Sequence, residues 1–299
     1  MNKLNLLPPN PEEENGRFPS WLHRPLPLGG QIFKTGHIVE KYRLNTVCEE
    51  AKCPNRFECY TKKTATFLAL GKHCTRNCGF CDIDFSKTPK APEEDEPERI
   101  ALSVKELGLR HAVITMVARD DLPDQGASHM AAIVRAIRTH NPGVSVELLT
   151  SDFSGDLSAL DIVLREKPEI FNHNLETVRS LTPRVRHKAQ YDRTLAVLKH
   201  ARDSRLPVHV KSGIMVGLGE TPAEVEETLR DLHAVGVDIV TIGQYLQASR
   251  TKLRVKEFIT PAQFDAYAAY GHSLGIREVN SAPFVRSSYN AKFESTSNN

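Results

Sequence analysis

All six cysteines of this chain lie between Cys48 and Cys81, and none follows in the rest of the 299 residues. They form two groups of three, with the spacings CxxxxCxxxxxC and CxxxCxxC. A disulfide-stabilised secreted domain is usually smaller and spreads its cysteines along the chain. Thiols packed this tightly in a large chain predict a metal site in a reducing compartment.

The second trio consists of Cys74, Cys78 and Cys81. Thiolates on one short loop can reach three irons of a [4Fe–4S] cubane, which leaves the fourth iron open to a small ligand. Structural zinc prefers paired CxxC units and four closed ligands, so CxxxCxxC is an uncommon zinc pattern. The spacing therefore favours an iron–sulfur cluster with one open iron, with a zinc site as the alternative.

The first trio consists of Cys48, Cys53 and Cys59, and it also lacks a fourth protein ligand. Two interpretations remain open from these residues alone. One is a structural site, either a cluster or a zinc ion completed by His73 or His37. The other is a cluster that takes part in chemistry.

From about residue 64 the sequence alternates between short apolar runs and amphipathic segments, which predicts a parallel sheet covered by helices. Predicted strands are 65–70, 112–117, 144–149, 169–172, 208–216 and 238–242; predicted helices lie near 96–107, 126–139, 157–166, 190–203, 222–235 and 261–274. Six such units predict an α/β fold, a partial (β/α)6 barrel, although a doubly wound open sheet gives a similar pattern.

We predict three regions in the chain. Residues 1–63 form an N-terminal extension that begins as an extended arm over about residues 1–35 and then carries the first trio. Residues 64–260 form the barrel. Residues 261–299 form a short C-terminal segment with a polar tail, which we expect to be disordered after about Phe293.

Polar residues follow the predicted strands where those strands end, and ligands of parallel α/β folds bind at that edge. The second trio follows the first strand, and Asp120 follows the second. Asn174 follows the fourth strand, and Gly217 follows the fifth. We therefore predict the active site at this rim.

The CxxxCxxC trio, with Phe80 before its last cysteine, resembles the radical S-adenosylmethionine (SAM) superfamily. The order of both trios resembles the lipoyl synthase family within it, and Arg286-Ser287-Ser288-Tyr289 matches that family's RSSY motif. Three further stretches are similar to family motifs. They are residues 119–127, which depart from the usual RDDLxDGGA at Gln125, residues 172–177 (HNxET) and residues 213–220 (GxIxGxxE). The resemblance extends from about Trp21 to Ala291.

This resemblance implies roles for individual residues. Cys74, Cys78 and Cys81 would hold the SAM-binding [4Fe–4S] cluster. The first trio would hold a second, auxiliary [4Fe–4S] cluster with a serine of the RSSY motif, Ser288 in our alignment and Ser287 as the alternative. SAM itself would contact a further set of residues: Phe80, Asp120, Asn174, Glu176, Gly213 and Gly217.

The implied activity is insertion of two sulfur atoms, at C6 and C8, into an octanoyl chain on a lysine of a carrier protein domain. The implied partners are 2-oxoacid dehydrogenase acyltransferase subunits, the glycine cleavage H protein, and a flavodoxin or ferredoxin as reductant. Two basic runs, 184–193 and 250–256, are ordinarily a solvated face, but they also suit an acidic carrier domain. Alternatives are another two-cluster radical SAM enzyme, such as a methylthiotransferase, and a non-catalytic zinc-binding module.

The composition limits the class of protein that this chain can be. The chain is 40% hydrophobic and 25% charged, as in soluble globular proteins. No apolar run reaches the roughly 20 residues that a membrane span needs, and the first residues do not resemble a secretory signal. We therefore expect a cytoplasmic protein. A net charge of +2 is too small to indicate nucleic-acid binding.

Overall fold

The computed structural model of the chain describes residues 18–24 and 30–288. The predicted polar tail after Phe293, and Tyr289 of the RSSY motif, lie outside the described residues. Within the described part, no helix combines the length and the apolar character that crossing a bilayer requires.

One sheet of eight strands organises the structure. Its strands follow chain order, β1-β2-β5-β6-β7-β8-β9-β10, and all neighbours are parallel except the antiparallel pair of β1 and β2. The strands are β1 (Asn45–Thr46), β2 (Thr66–Ala69), β5 (His111–Met116), β6 (Ser145–Leu149), β7 (Ile170–Asn172), β8 (His209–Val216), β9 (Ile239–Gln244) and β10 (Glu278–Ser281). A second sheet pairs β3 (His73–Cys74) with β4 (Asp84–Phe85).

Ten α-helices connect these strands within the described residues. They are α1 (Gln31–Lys41), α2 (Val47–Glu50), α3 (Arg56–Thr61), α4 (Glu96–Leu107), α5 (Ala127–His140), α6 (Leu157–Leu164), α7 (Thr182–Val185), α8 (Tyr191–Asp203), α9 (Pro222–Ala234) and α10 (Pro261–Ser273). Short 3₁₀ turns cover Ser20–Leu22 and Phe153–Gly155. All six predicted strands and all six predicted helices are present, with ends that shift by at most two residues.

The strand order confirms the barrel interpretation over the doubly wound sheet. A doubly wound sheet reverses its strand order at a switch point, whereas here each parallel strand pairs with the next one along the chain. Right-handed crossovers that all run in one direction place the helices on one face and leave the other face to line the barrel interior. The described strands β1 and β10 do not pair with each other, so the barrel is partial.

A buried cluster of polar side chains joins strands β5 to β8 below the carboxyl ends of the sheet. Glu147, on β6, accepts hydrogen bonds from the Lys211 Nζ at 2.9 Å and the Asn172 Nδ2 at 2.8 Å, and His111 lies 3.5 Å away. All four side chains are buried or nearly so. Burial alone would raise the pKa of Glu147. The nearby Lys211 and His111 side chains instead hold this pKa below its usual range. Saturating one carboxylate with three partners keeps a buried charge tolerable.

The N-terminal extension is more regular than predicted. The sequence predicts an extended arm to residue 35, but α1 begins at Gln31. Thr35 and Val39 are buried one turn apart on this helix, and Thr35 donates a hydrogen bond to the carbonyl of Tyr60, at 2.8 Å, in α3. Packing against α3 therefore stabilises this helix in the folded chain.

The C-terminal segment folds back onto the carboxyl end of β9. The Gln244 amide donates to the carbonyl of Pro283, and the Ala282 amide donates to that of Ile242. A Cβ at Gly243 would lie 2.0 Å from the carbonyl oxygen of Val285, so only glycine permits this approach. The absence of a side chain at Gly243 thus lets Arg286, Ser287 and Ser288 reach the rim.

Candidate functional site

A single cavity of about 560 Å³ opens at the carboxyl ends of the strands, and residues from both cysteine trios line it. The lining includes Cys53 of the first trio and all of the second trio, Cys74, Cys78 and Cys81. Cys48 and Cys59 lie behind Cys53, on α2 and α3. All six cysteines are free thiols. The structure therefore brings together the two groups that the sequence singled out.

An ion pair joins the two cysteine segments directly. Lys52, next to Cys53, lies 2.7 Å from the carboxylate of Asp82, next to Cys81. Ser249 donates a second hydrogen bond to Asp82, at 2.6 Å. The two trios are consequently neighbours across one side of the cavity.

The loop of the second trio is held by a buried charge network that sequence reasoning missed. Arg76, between Cys74 and Cys78, forms ion pairs with Asp120 at 2.7 Å and with Asp152 at 2.6 Å. Asp152 is fully buried and also pairs with Arg193 at 2.8 Å. Burial alone would raise the pKa of Asp120, yet the Arg76 guanidinium lowers it to about 2. The carboxylates that follow β5 and β6 thus fix the loop to the barrel.

Asp120 and Gly217 do not line the cavity, unlike the other predicted SAM contacts. The Asp120 carboxylate accepts hydrogen bonds from Arg76, Thr75 and Ser154. Gly217 has a φ of +94°, and a Cβ there would lie 2.4 Å from the carbonyl oxygen of Glu257. Both residues shape the backbone around the site, and a contact with SAM remains a prediction for each.

Gln125, where the sequence departs from the related motif, also adopts a positive φ, of +54°. Glycine suits this conformation, whereas a side chain is strained in it. Here the Gln125 Nε2 donates to the carbonyl of Phe153 at 2.6 Å. That bond ties the motif to the turn after β6 and offsets part of the strain.

The part of the cavity wall that follows β6 and β7 carries unpaired polar atoms. The Asn174 Oδ1 and the Thr150 Oγ1 are buried and have no hydrogen-bond partner among the described residues, and both residues line the cavity. Gly213 lies beside Asn174, where a Cβ would come within 2.4 Å of the Thr241 hydroxyl. Buried polar atoms without partners are rare in native structures and mark a surface that binds a polar ligand.

Glu176 lies on the same wall and interrupts the regular backbone. It has a φ of +69° and makes a parallel bridge with Ile214 of β8. Burial raises the pKa of Glu176, and the nearby Arg186 counteracts that effect. The Asn174 amide donates to the Glu176 carboxylate at 3.0 Å. Phe80 completes this part of the lining.

Ser287 and Ser288 both line the cavity on the side of the first trio. The segment is fastened there by the Asn55 amide, which donates to the carbonyl of Phe284 at 2.8 Å, and by Arg24, whose guanidinium stacks 3.8 Å from the Phe284 ring. Asn55 is two residues from Cys53. A contact between residues 229 positions apart in sequence therefore closes the first trio.

The donor set fits iron–sulfur clusters. Burial raises the pKa of Cys48 and Cys81 to about 12, and that of Cys59 and Cys78 to about 11. A buried thiolate is stable when it binds metal. Among the described residues, no three His, Cys, Asp or Glu side chains converge on a single metal ion. A cubane does not need that convergence, because each thiolate binds a different iron.

Comparison with known proteins decides the family. A family model described as the radical SAM superfamily matches residues 68–232, more than half of the chain. The lipoyl synthase of Protochlamydia amoebophila is 62% identical, over 97% of this chain and 92% of its own length. That of Chlamydia trachomatis serovar L2 is 52% identical, over 92% and 88%. The chain belongs to the lipoyl synthase family of radical SAM enzymes.

Members of this family use SAM and [4Fe–4S] clusters, and the two trios account for two clusters. Solved radical SAM structures share the fold at low sequence identity. Methylornithine synthase has a TM-score of 0.53 at 14% identity, over 76% of this chain and 72% of its own. SuiB of Streptococcus suis, bound to its precursor peptide, has a TM-score of 0.55 at 12% identity, over 84% and 52%. These likenesses confirm the α/β partial barrel.

Proposed function

We propose that this chain inserts two sulfur atoms, at C6 and C8, into an octanoyl chain bound to a lysine of a carrier protein domain. The observation that carries the proposal is the shared cavity, lined by Cys53 on one side and by the second trio on another. A radical supplied at one cluster would have to abstract hydrogen from a carbon that lies next to the sulfur source, because the reacting atoms need near-contact geometry. Two separate cavities would not permit that transfer.

In this proposal Cys74, Cys78 and Cys81 hold the cluster that binds SAM. Cys48, Cys53 and Cys59 hold the auxiliary cluster with Ser288 as fourth ligand. The hydrogen-bond pattern favours Ser288 over Ser287, since the Asn174 amide donates to the Ser287 hydroxyl at 3.2 Å. A serine oxygen is a harder ligand than a thiolate, so it dissociates more readily when the cluster must open.

A pair of single substitutions tests which serine is the ligand. Ser288→Ala should abolish sulfur insertion and make the auxiliary cluster labile, while Ser287→Ala should retain both. Iron content and product mass measure the two effects. The opposite pattern would assign the ligand to Ser287.

The remaining cavity residues position SAM and substrate. Asn174 offers an unpaired acceptor to an amino group, and Gly213 leaves room for the strand backbone to approach a flat ring. Phe80 and Glu176 line the same space, and Asp120 and Gly217 act from behind it. When bound, the cofactors supply a carbon-centred radical that abstracts hydrogen and sulfur that replaces it, while this chain orients the reactants and excludes water.

The division into an extension over 1–63, a barrel over 64–260 and a C-terminal segment over 261–299 belongs to the same proposal. It is supported by the first trio lying before β2 and the RSSY residues lying after β10. We also propose the octanoylated acyltransferase subunits and the glycine cleavage H protein as carriers, a flavodoxin or ferredoxin as reductant, and the cytoplasm as compartment. Six thiols kept free for metal are consistent with a reducing compartment.

The test is a single reaction. Anaerobically reconstituted protein, reduced with dithionite, is incubated with SAM and an octanoyl-lysine peptide, and products are analysed by mass spectrometry. We expect 5′-deoxyadenosine and a peptide with two added sulfurs, from protein holding about eight irons. Deoxyadenosine without sulfur addition would retain the radical chemistry and refute the substrate. Zinc without acid-labile sulfide would refute the whole proposal.

A further inference from the structure

Two basic segments meet at one residue of the second trio's loop. The Gly79 amide donates to the carbonyl of Val185 at 3.0 Å, and the Gly79 carbonyl accepts from the Leu253 amide at 2.9 Å. Val185 and Leu253 belong to segments 179–190 and 246–256, which contain five and four basic residues when His187 is counted, and no Asp or Glu. The loop that carries the second trio is therefore held between two positively charged stretches.

This contact lies on the outer side of the loop. Cys78, Phe80 and Cys81 line the cavity, but Gly79 between them does not. A Cβ at Gly79 would come within 3.0 Å of the Leu253 side chain and 3.4 Å of the Arg184 carbonyl oxygen. A single layer of backbone thus separates the second trio from the segments that carry the basic side chains.

The cations on this side form one surface, and three of its arginines have no acidic partner among the described residues. We define the Gly79 surface as Arg184, His187, Lys188, Arg250, Lys252 and Arg254, none of which lines the cavity. Arg184, Arg250 and Arg254 are exposed and have no ion pair within the part of the chain that the structure describes. Neighbouring cations are engaged elsewhere: Arg193 pairs with Asp152, and Arg186 donates to the carbonyl of Asn174. Positive charge is therefore concentrated on the outer side of the second trio's loop, where the backbone at Gly79 separates the surface from the cavity.

We infer that the Gly79 surface docks an acidic protein that donates the electron needed for SAM cleavage. This inference rests on the proposed function, which requires one electron per SAM. In the transfer, the donor's reduced flavin or iron–sulfur centre loses one electron and the cluster at the second trio gains it, so no bond forms or breaks. Opposite charge guides such a partner to the outside of the loop, where its redox centre comes closest to the second trio.

An octanoylated carrier is the competing partner, and the placement argues against it. Its acyl chain must enter the cavity between the trios, whereas the side chains of the Gly79 surface lie outside that lining. Electrons, by contrast, need only a short separation through the loop backbone. The Gly79 surface therefore suits the electron donor better than the octanoylated carrier.

The test uses a triple charge reversal, R184E/R250E/R254E, in the full-length, cluster-loaded protein. The matched control is K105E/R110E/R205E, three exposed basic residues that lie before the amino ends of β5 and β8, at the opposite edge of the sheet. The probe is purified flavodoxin. Calorimetric titration measures its binding, and stopped-flow absorbance with the flavodoxin hydroquinone measures the rate of cluster reduction.

We expect the triple reversal to weaken flavodoxin binding at least tenfold and to slow cluster reduction equally, with the control unchanged. Raising the salt concentration should remove most of the difference. SAM cleavage driven by dithionite, which needs no docking, should stay at the wild-type rate in both variants. Equal flavodoxin binding in wild type and triple reversal overturns the inference. The inference is also overturned if the triple reversal leaves flavodoxin binding unchanged but raises the KM for octanoylated carrier in reactions driven by dithionite. The surface would then dock the carrier.

Failure of the proposed function gives a different result. Wild-type protein that does not cleave SAM with dithionite would refute the radical chemistry whatever the variants do. The flavodoxin titration still decides the docking surface in that case, because it measures binding and not turnover.

Discussion

The two cysteine trios line the same cavity, yet the second is anchored by nearby charges of the barrel and the first is closed by a segment from the other end of the chain. Arg76, in the second trio's loop, is bound by Asp120 and Asp152 at the ends of adjacent strands. Asn55, in the first trio's segment, instead reaches the carbonyl of Phe284. An ion-pair network within one sheet resists opening, whereas a few contacts to a terminal segment can be released.

This difference matches the two tasks. A cluster that generates a radical in each cycle must keep its loop in place. In the proposed function the first trio's cluster gives up sulfur and must open, and a serine ligand from the C-terminal segment would provide the opening. At each trio, the type of ligand and the contacts that hold its segment therefore suit the same task, which is retention of the second cluster and opening of the first.

The largest effect should come from removing one cysteine of either trio. Cys78→Ala should abolish both deoxyadenosine and sulfur insertion, because SAM loses its cluster. Cys53→Ala should retain deoxyadenosine and abolish sulfur insertion. Each variant should hold about half of the wild-type iron, roughly four atoms per chain. Loss of deoxyadenosine in both variants would show that the trios do not have separate tasks.

The anchoring of the second trio can be broken at Arg76. Arg76→Met should lower the free energy of unfolding by about 3–5 kcal/mol, because it leaves the buried Asp152 carboxylate with fewer partners. Arg135→Met, which removes an exposed ion pair with Glu166, should cost less than about 1 kcal/mol. Thermal unfolding of the cluster-free proteins measures both. Equal costs for the two variants would mean that the network does not anchor the loop.

Acid should weaken the second trio's side of the barrel before the first. Burial lowers the pKa of His173 to about 4 from an ordinary 6.5, and His173 bonds the carbonyl of Thr150 at 2.9 Å. Because the folded value lies below the unfolded one, this contribution to stability is complete above pH 6.5 and declines as the pH falls towards 4. Between pH 7 and 5 the loss should be about 2 kcal/mol.

His173→Gln provides the control, since it should remove this pH dependence. Hydrogen exchange at pH 5 should show earlier opening in β7 and residues 74–81 than in residues 47–61. Uniform opening of both regions would contradict the comparison.

The smallest effect should come from the first trio's closing contact. Asn55→Ala removes the hydrogen bond to the Phe284 carbonyl and the one that the Asn55 side chain accepts from Arg24. The bond to Phe284 alone is worth about 1 kcal/mol, so sulfur insertion should fall at least about fivefold while SAM cleavage is unchanged. Thr61→Ala on α3, which removes a local bond to the Phe57 carbonyl, should change neither rate. The ratio of lipoyl product to deoxyadenosine measures the effect. A parallel fall in both would indicate general destabilisation.

The barrel could be predicted because its signals are local. Apolar runs and amphipathic repeats define β2, helices α4 to α6 and helices α8 to α10 to within two residues, and cysteine spacing identifies both trios. Helix α1 begins inside the predicted extended arm of residues 1–35, and its buried Thr35 and Val39 lie one turn apart beside α3.

The way the site is held together depended on contacts that no local pattern shows. Arg76 occupies a spacer position between cysteines, and its buried pairing requires two distant carboxylates. Gly243 follows the predicted strand 238–242 and carries no sequence signal of its own, yet it admits the backbone of Val285. The only local signal was the clustering of Asp120 and Asp152 at predicted strand ends.

The central claim is that sulfur passes from the first trio's cluster to a carbon activated by the second trio's cluster within one cavity. The most direct measurement reconstitutes both clusters with ³⁴S-sulfide, removes free sulfide, and runs a single turnover on an octanoyl-lysine peptide in buffer that contains ³²S-sulfide. We predict a product in which both inserted atoms are ³⁴S, and no such product from Cys53→Ala protein. A product carrying ³²S, or ³⁴S insertion by the Cys53→Ala protein, would contradict the account.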